Sequence, residues 1–302
     1  MNDGLSSGAP SGGASSGAPR GATSPAMPMG ATIGRVLICA GSDSGGGAGI
    51  QADIKAVTAL GGYAMTAITA LTAQNTLGVH AVHGVPPAFI REQIRVVLED
   101  LGADCIKTGM LADSVTIEAV CDALAAHGAG IPLVADPVMV AKGGHPLLAS
   151  DAVETLKRRL LPFATILTPN LPEAEALCGA SIRDRATMRQ AAEWLLTLGV
   201  PAVLLKGGHL PGATVTDLLA TADGITAFES PRIETRHTHG TGCTLASAIA
   251  TGIAQGMPLE DAVGRARAYV QAAMRAAPGF GAGHGPLGHG VTLDAARLEA
   301  LR

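Results

Sequence analysis

Short apolar runs alternate with amphipathic stretches along most of the chain. Residues 35–40 form a continuous apolar run, as in a strand buried on both faces, whereas 87–101 carries apolar residues at helical spacing after two prolines. The same two patterns predict further strands at about 63–70, 105–108, 131–136, 165–168 and 202–206, and further helices at about 50–61, 113–127, 151–161, 186–198 and 258–276. Strands that alternate with helices predict a three-layer α/β/α fold around a central, mostly parallel sheet.

Polar and glycine-rich clusters follow nearly every predicted strand. In open α/β sheets, ligands bind outside the carboxyl ends of the strands, so these clusters are expected to meet at one edge and form one active site. They lie at 41–49, 74, 107–110, 136, 170–173, 206–209 and 239–243.

The cluster at 239–243 is a glycine-rich turn that runs into an apolar helix rich in small residues. Unpaired N–H groups and the helix dipole make such a turn an anion site, and here they predict phosphate binding. The same field is expected to lower the pKa of a thiol at the mouth of the site. An ordinary loop-to-helix junction with an inert cysteine is the alternative. The candidate residues are Gly240, Thr241, Gly242 and Cys243.

Three further clusters carry groups that suit a nucleotide and its metal ion. Asn170 and Glu173 could hold a hydrated Mg²⁺, or they could only cap a helix. Asp136 could add charge near the metal or start the turn before Pro137. Lys206 ends a strand before two glycines and could bind phosphate, although a strand-end lysine is often only solvated.

Gln74 offers a carbonyl and an amide NH₂ that match a ring nitrogen beside an exocyclic amine, or it only bonds within its loop. Met110 could line a flat ring or belong to the core. Asp53 is a further substrate-binding candidate, or it balances the dipole of its helix. The glycines at 41–49 fit neither a P-loop nor a dinucleotide fingerprint. Four histidines show no spacing typical of metal ligands: His237, His239, His284 and His289.

The composition of the chain predicts its domain organisation and its kind of core, and it argues against one class of partner. Residues 1–33 are almost entirely Gly, Ser, Ala and Pro, which predicts a disordered tail before a single domain at 34–302. Hydrophobic residues make up 47% of the chain and aromatic residues only 2%, so the core must be aliphatic. A net charge of −4 without a run of Lys and Arg argues against nucleic acid as a partner.

The five cysteines show no C-x-x-C spacing and are odd in number, which argues against a zinc site or a disulfide framework. Reduced thiols in a cytoplasmic protein fit best. The sequence shows neither an apolar run of membrane-spanning length nor a signal-peptide core, so no membrane association is expected.

Seven motifs, in unbroken order over about 35–280, resemble hydroxymethylpyrimidine/phosphomethylpyrimidine kinases of the ribokinase-like superfamily. They are A-G-S-D-S-G-G-G-A-G-I-Q-A-D at 40–53, T-A-Q-N-T at 72–76, K-T-G-M at 107–110, D-P-V-M at 136–139, T-P-N-L-P-E-A at 168–174, L-K-G-G-H at 205–209 and H-G-T-G-C-T-L-A at 239–246. Seven motifs in register are far more specific than any one of them.

The resemblance implies a ribokinase-like fold, ATP and Mg²⁺, and two successive phosphorylations of 4-amino-5-hydroxymethyl-2-methylpyrimidine in thiamine biosynthesis. Gln74 would contact the aminopyrimidine, surrounded by Gly41, Met110 and Val138. Asn170 and Glu173 match the superfamily's magnesium element, and 240–242 match its anion hole. Cysteine at 243, where sugar kinases carry Asp, is the pyrimidine-kinase pattern. A homodimer is also implied, and a pyridoxal kinase or a binding protein without catalysis remain alternatives.

Overall fold

The computed structural model describes Met1, residues 32–141, 144–149 and 151–293, and Glu299. Contacts group the chain into two units, Met1–Ala31 and Thr32–Arg302. The tail predicted at 1–33 lies outside the described residues except for Met1, Thr32 and Ile33. The strands and helices below all belong to the second unit.

In the described part of the chain, nine strands form one sheet in the order β3-β2-β1-β4-β5-β6-β7-β8-β9. Strands β2, β1, β4, β5, β6 and β7 are parallel to one another, whereas β3 is antiparallel to β2 and β8 is antiparallel to both β7 and β9. The predicted, mostly parallel sheet is therefore confirmed. The strands are β1 Arg35–Asp43, β2 Tyr63–Asn75, β3 Gly78–Gly84, β4 Cys105–Thr108, β5 Leu133–Ala135, β6 Ile166–Leu167, β7 Ala202–Leu205, β8 Thr214–Thr221 and β9 Gly224–Pro231.

Helices cover both faces of the sheet, which gives the expected three layers. One core joins the sheet to α2, α3, α4, α5 and α6, and a second joins it to α1, α7 and α8. The helices are α1 Gly49–Ala59, α2 Pro87–Asp100, α3 Ser114–His127, α4 Ala152–Thr155, α5 Leu171–Cys178, α6 Arg185–Leu196, α7 Thr241–Ala254 and α8 Leu259–Arg275.

The apolar run of β1 supplies both cores, because successive side chains point to opposite faces of a strand. Leu37 lies in the core under α2 and α3, and Ile38 lies in the core under α1 and α7. Small residues let α7 pack closely on α8: a methyl group on Gly252 would lie 2.7 Å from the Cβ of Ala262. The core is thus aliphatic and rich in alanine, and it is filled by helices that pack closely rather than by large aromatic side chains.

The structure departs from the predicted elements in two places. Strand β2 continues to Asn75 and pairs antiparallel with β3, which the sequence analysis did not predict. The tip, Thr76–Leu77, lacks the Asn-Gly or Asp-Gly pair that marks a tight hairpin in a sequence. The helix predicted at 151–161 is present but irregular: the short α4 continues directly into a π turn at Leu156–Leu160 and a 3₁₀ turn at Leu161–Phe163 that contains a proline.

Strand β1 marks the point where the strand order of the sheet reverses. The chain crosses from β1 to β2 on one side, and β4 later adds on the other side. The segments after β1 and β4 therefore diverge and leave a crevice between them, which is where open α/β sheets bind ligands. The clusters predicted after these two strands border that crevice.

Candidate active site

Two glycine-rich segments meet at the N-terminus of α7. Gly240 has φ 81° and directly precedes the helix, and its added Cβ would lie 1.8 Å from the carbonyl oxygen of Gly47. Glycine is required here both by the positive φ and by this contact. The loop after β1 and the turn before α7 are therefore fixed against each other, with the first N–H groups of α7 at their junction; that of Thr241 donates to the carbonyl oxygen of Thr238 at 3.3 Å.

Asp43, at the end of β1, organises the loop that follows it. Its carboxylate accepts N–H bonds from Gly45 at 2.8 Å, Gly47 at 3.1 Å and Ala48 at 2.8 Å, and it lies 2.8 Å from Nε2 of His239. Burial alone would raise the pKa of Asp43, but the bonds from His239 and the backbone lower it below its ordinary range. One carboxylate thus connects the first glycine loop to the turn before α7.

Gln74 lies beside this junction, at the carboxyl end of β2. Its Nε2 is 3.2 Å from Nε2 of His239, and its Oε1 accepts a hydrogen bond from Thr72 at 3.2 Å. Met110 packs directly on Gly41, since a Cβ on the glycine would lie 3.1 Å from the methionine sulfur. Gln74 and His239 line one small hollow beside the β2–β3 tip.

Val138, predicted to lie near the pyrimidine, follows a different strand. It lies in the turn after β5, where its N–H bonds to the carbonyl oxygen of Asp136 at 2.9 Å. Val138 thus lies two residues after Asp136, whose buried carboxylate belongs to the second part of the site.

The second part of the site combines a lysine, a carboxylate and the glycine turn. Nζ of Lys206 lies 3.0 Å from Oδ1 of Asp136, which also accepts a bond from Thr168 at 3.2 Å. A Cβ on Gly242 would lie 3.3 Å from that Nζ and 3.8 Å from the other Asp136 oxygen. Burial alone would lower the pKa of Lys206, but Asp136 and Glu173 raise it. The lysine is therefore charged beside the N–H groups of α7, as phosphate binding requires.

Asn170 and Glu173 form a capping box at the start of α5. The amide oxygen of Asn170 accepts the N–H of Glu173 at 2.9 Å, and a carboxylate oxygen of Glu173 accepts the N–H of Asn170 at 2.8 Å. Burial raises the pKa of Glu173 to about 7; Lys206 opposes the shift and Asp136 adds to it. Among the residues that the structure describes, no three His, Cys, Asp or Glu side chains converge as a cluster that could hold a metal ion.

Asp53 is not placed to touch a substrate. Its side chain is fully buried, accepts two bonds of 2.9 Å from Nζ of Lys107, and accepts a third from Ser247 at 2.7 Å. The structure therefore does not support the predicted substrate contact. The carboxylate instead ties α1, β4 and α7 together behind the site, because a buried charge must be paired.

Cys243 lies in the first turn of α7, as predicted, but its predicted ionisation is wrong. Burial raises the pKa of the Cys243 thiol from its ordinary value near 9 to about 12, and the opposing effect of Lys107 is too small to reverse the shift. The carboxylates of Asp53 and Asp136 add to the rise. Desolvation and nearby negative charge thus raise the pKa of this half-buried thiol, whereas Lys107 and the N–H of Gly49 act to lower it, so the neutral form is favoured.

We expect Cys243 to react slowly with iodoacetamide at pH 8, because only the thiolate is nucleophilic. A pKa of about 12 in place of 9 leaves about a thousandfold less thiolate than in an ordinary cysteine. Peptide mass spectrometry after timed alkylation measures the rate, with the same protein unfolded in urea as the control. Rapid labelling of Cys243 in the folded protein at pH 8 would contradict the neutral thiol.

The comparisons with known proteins agree with this geometry. A protein-family model described as phosphomethylpyrimidine kinase matches residues 43–288. That match begins at the last residue of β1 and spans most of the first glycine segment, the turn before α7 and every later strand end described above.

The chain belongs to the phosphomethylpyrimidine kinase family. The hydroxymethylpyrimidine/phosphomethylpyrimidine kinase of Streptomyces coelicolor is 48% identical over 258 residues, which cover 85% of this chain and 95% of that protein. The thiamine biosynthesis bifunctional protein ThiED of Geobacter sulfurreducens is 54% identical over 256 residues. This second match covers 85% of the chain but only 52% of ThiED, so the chain spans about half the length of that relative.

Solved structures support the ribokinase-like architecture. The ADP complex of Bacillus subtilis pyridoxal kinase superimposes with a TM-score of 0.80 at 33% identity, covering 87% of this chain and all of that chain. The family match also extends past residue 280, where the sequence resemblance was expected to end. There the N–H of His284 bonds to the carbonyl oxygen of Thr76 at 2.9 Å, so the C-terminal segment packs on the β2–β3 tip near Gln74.

Sequence reasoning missed the roles of three residues in or directly behind this phosphomethylpyrimidine kinase site. His239 was set aside because the histidines showed no metal-ligand spacing, yet it contacts both Asp43 and Gln74. Asp43 and Lys107 lay inside quoted motifs without an assigned role. Their partners are distant in sequence, so only membership of the motifs could have drawn attention to them.

Proposed function

We propose that this chain is an ATP-dependent kinase that phosphorylates 4-amino-5-hydroxymethyl-2-methylpyrimidine and then converts the monophosphate to the pyrophosphate in thiamine biosynthesis. Family membership and the names of the relatives support this activity. The observation that carries it is the α7 N-terminus, which has Lys206 and Asp136 on one side and Gln74 with His239 on the other. A candidate site for phosphate therefore lies next to a candidate site for the pyrimidine ring.

The geometry assigns separate tasks to the two sides. The N–H groups at the start of α7 and the charge of Lys206 bind phosphate oxygens of ATP, while Gln74 hydrogen-bonds the aminopyrimidine. The substrate hydroxyl oxygen attacks the γ-phosphorus, the bond to the ADP oxygen breaks, and the hydroxyl proton is released to solvent water as the new ester forms. Because this transfer depends on positioning and charge neutralisation more than on a strong base, a neutral Cys243 is compatible with it.

Asp136, Glu173 and Asn170 are the residues that would hold Mg²⁺ in this kinase. Asp136 and Glu173 are both buried, and the pKa of Glu173 is raised mainly by desolvation and further by Asp136, so a cation between them would favour both ionised carboxylates. Magnesium typically keeps several waters and takes few protein ligands, which suits a site without three converging carboxylates. When bound, the ion would neutralise phosphate charge.

The direct test is incubation of the purified protein with ATP, Mg²⁺ and the aminopyrimidine alcohol, followed by chromatography of the products. We expect the monophosphate first and the pyrophosphate later. Because one structural relative is a pyridoxal kinase, pyridoxal is the competing substrate, and the ratio of the two kcat/KM values decides between them. Pyrimidine binding without consumption of ATP would instead show a binding protein that lacks catalysis.

We expect Gln74→Ala to raise KM for the aminopyrimidine by about tenfold to a hundredfold, because a buried substrate amine and ring nitrogen lose their partner. KM for ATP should change less than about twofold, since the proposed phosphate contacts, the first N–H groups of α7 and Lys206, do not involve Gln74. Steady-state kinetics with each substrate varied in turn measures both values. Gln190→Ala makes the same change at an exposed position of α6 and should leave both KM values unaltered. Equal losses for both ligands would show that Gln74 is only structural.

The assembly and location of this kinase are further proposals. Among the residues described, no helix is both long and apolar enough to cross a lipid bilayer. Exposed apolar side chains on the β2–β3 hairpin, including Leu71, Leu77 and Val82, support a homodimer through this edge. Sedimentation equilibrium tests the dimer. A cytoplasmic location and the absence of nucleic acid as a partner stay predictions.

A further inference from the structure

The turn after Lys206 is held from behind by a carboxylate that lies outside the phosphate site. Gly207 donates its N–H to Oδ1 of Asp217 at 2.8 Å. The glycine is buried, and a Cβ on it would lie 1.9 Å from the carbonyl oxygen of Thr216. The backbone of β8 therefore lies directly against the residue that follows the lysine, and no larger side chain fits between them.

The second oxygen of Asp217 is held by an arginine from α8. Nε of Arg267 donates to Oδ2 at 2.8 Å, and its Nη2 lies 3.3 Å from the hydroxyl of Ser230. The guanidinium carbon also lies 5.6 Å from the ring centroid of Phe228. Asp217 and Arg267 are each only 8% exposed. A buried carboxylate with a partner on each oxygen has one orientation, so it can act as a fixed acceptor.

The opposite side of the same turn is also fixed. The N–H of Lys206 bonds to the carbonyl oxygen of Pro169 at 2.9 Å, in the segment after β6. Two consecutive N–H groups are therefore anchored on the two sides of β7, that of Lys206 toward β6 and that of Gly207 toward β8. This arrangement sets the direction in which the lysine leaves the strand, and the lysine reaches Asp136 and the α7 N-terminus from there.

We propose that Asp217 is a positioning residue for nucleotide binding, which holds the Lys206–Gly207 turn in place through the Gly207 N–H while Arg267 holds Asp217. This inference rests on the proposed kinase function, because it assigns the turn to the phosphates of ATP. The two oxygens of the Asp217 carboxylate then have separate roles. The bond to Gly207 serves the nucleotide site, and the ion pair with Arg267 serves stability.

The two roles are tested with three variants. Asp217→Ala removes both bonds, and we expect KM for ATP and Kd for ADP to rise about tenfold while KM for the aminopyrimidine changes less than about twofold. Asp217→Asn retains an acceptor for Gly207 but places its NH₂ against Arg267, so it should lower Tm with little change in KM for ATP. Asp217→Asn combined with Arg267→Met removes that clash and should recover Tm with the nucleotide affinity kept.

Val263→Ala is the control for general destabilisation. Val263 is fully buried on α8, the helix that carries Arg267, and its truncation lowers Tm without touching the turn. We expect its KM for ATP to match that of the wild type. If Val263→Ala raises KM for ATP as much as Asp217→Ala does, the effect is one of stability and the positioning role is wrong.

Two outcomes separate this inference from the kinase proposal. A wild-type protein that binds ADP by calorimetry but phosphorylates no alcohol overturns the kinase activity, and the effect of Asp217→Ala on Kd for ADP still tests the positioning role. A wild-type protein that turns over ATP, with unchanged KM for ATP and Kd for ADP in Asp217→Ala, overturns the positioning role alone. Equal increases for ATP and the aminopyrimidine in that variant do the same.

Discussion

Gly242→Ala is expected to reduce kcat/KM for ATP by about a hundredfold or more, because the anion site at the start of α7 has no room for a methyl group beside a phosphate. The added Cβ would lie 3.3 Å from Nζ of Lys206 and 3.8 Å from Oδ2 of Asp136. Those atoms border the space assigned to the transferred phosphoryl group. The methyl group therefore displaces the ligand rather than the protein, and steady-state kinetics with ATP varied measures the loss.

The fold should survive this substitution. Alanine is a better helix former than glycine by about 0.5–1 kcal/mol, so the free energy of unfolding should stay constant or increase slightly. Gly264→Ala is the matched control: it lies on α8, its added Cβ meets only a Phe228 ring carbon at 3.8 Å, and it should leave the kinetics unchanged. Unaltered kcat/KM in Gly242→Ala would show that phosphate binds elsewhere.

Gly240→Ala should behave differently, since it combines a φ of 81° with a Cβ only 1.8 Å from the Gly47 oxygen. We expect it to lower both Tm and activity, because the two glycine segments can no longer meet. The contrast between the two alanine variants separates the residue that shapes the phosphate site from the residue that assembles it.

The three layers of this fold, and the strand ends that are expected to meet at one edge of the sheet, could be predicted from the sequence. Periodicity identifies β1 because its apolar run is continuous, and it identifies α8 because its apolar stripe is regular. It fails for β3, whose side chains are mostly exposed or half-buried and whose turn carries no strong hairpin pair. Edge strands that meet solvent on both faces leave little hydrophobic pattern to detect.

The chemistry of individual side chains was less accessible to sequence reasoning. The charge state of Cys243 depends on burial and on Asp53, Asp136 and Lys107, which three different segments bring to it. The role of Asp53 likewise depends on Lys107, 54 residues away in the sequence. A motif shows that residues occur together, but desolvation and ion pairing are properties of the folded site, so the sign of a pKa shift cannot be obtained from the motif alone.

Lys206→Met should abolish measurable phosphorylation and also destabilise the protein by about 3–5 kcal/mol, because it leaves Asp136 buried without its partner. Nζ of Lys206 lies 3.0 Å from a carboxylate that is 2% exposed at its side chain. Glu173 is buried nearby and already has a raised pKa. Loss of the lysine therefore removes the cation from two carboxylates as well as from ATP, and urea unfolding together with the kinase assay measures the two losses.

Combining Lys206→Met with Asp136→Asn separates these effects. The amide keeps an acceptor for the hydroxyl of Thr168 but carries no charge, so the double variant should regain much of the lost stability. Its activity should stay at background, since neither the phosphate-binding ammonium nor the carboxylate proposed for Mg²⁺ is present. If the double variant recovers phosphorylation along with stability, Lys206 acts only by neutralising Asp136, and the phosphates of ATP must be bound by the N–H groups of α7 alone.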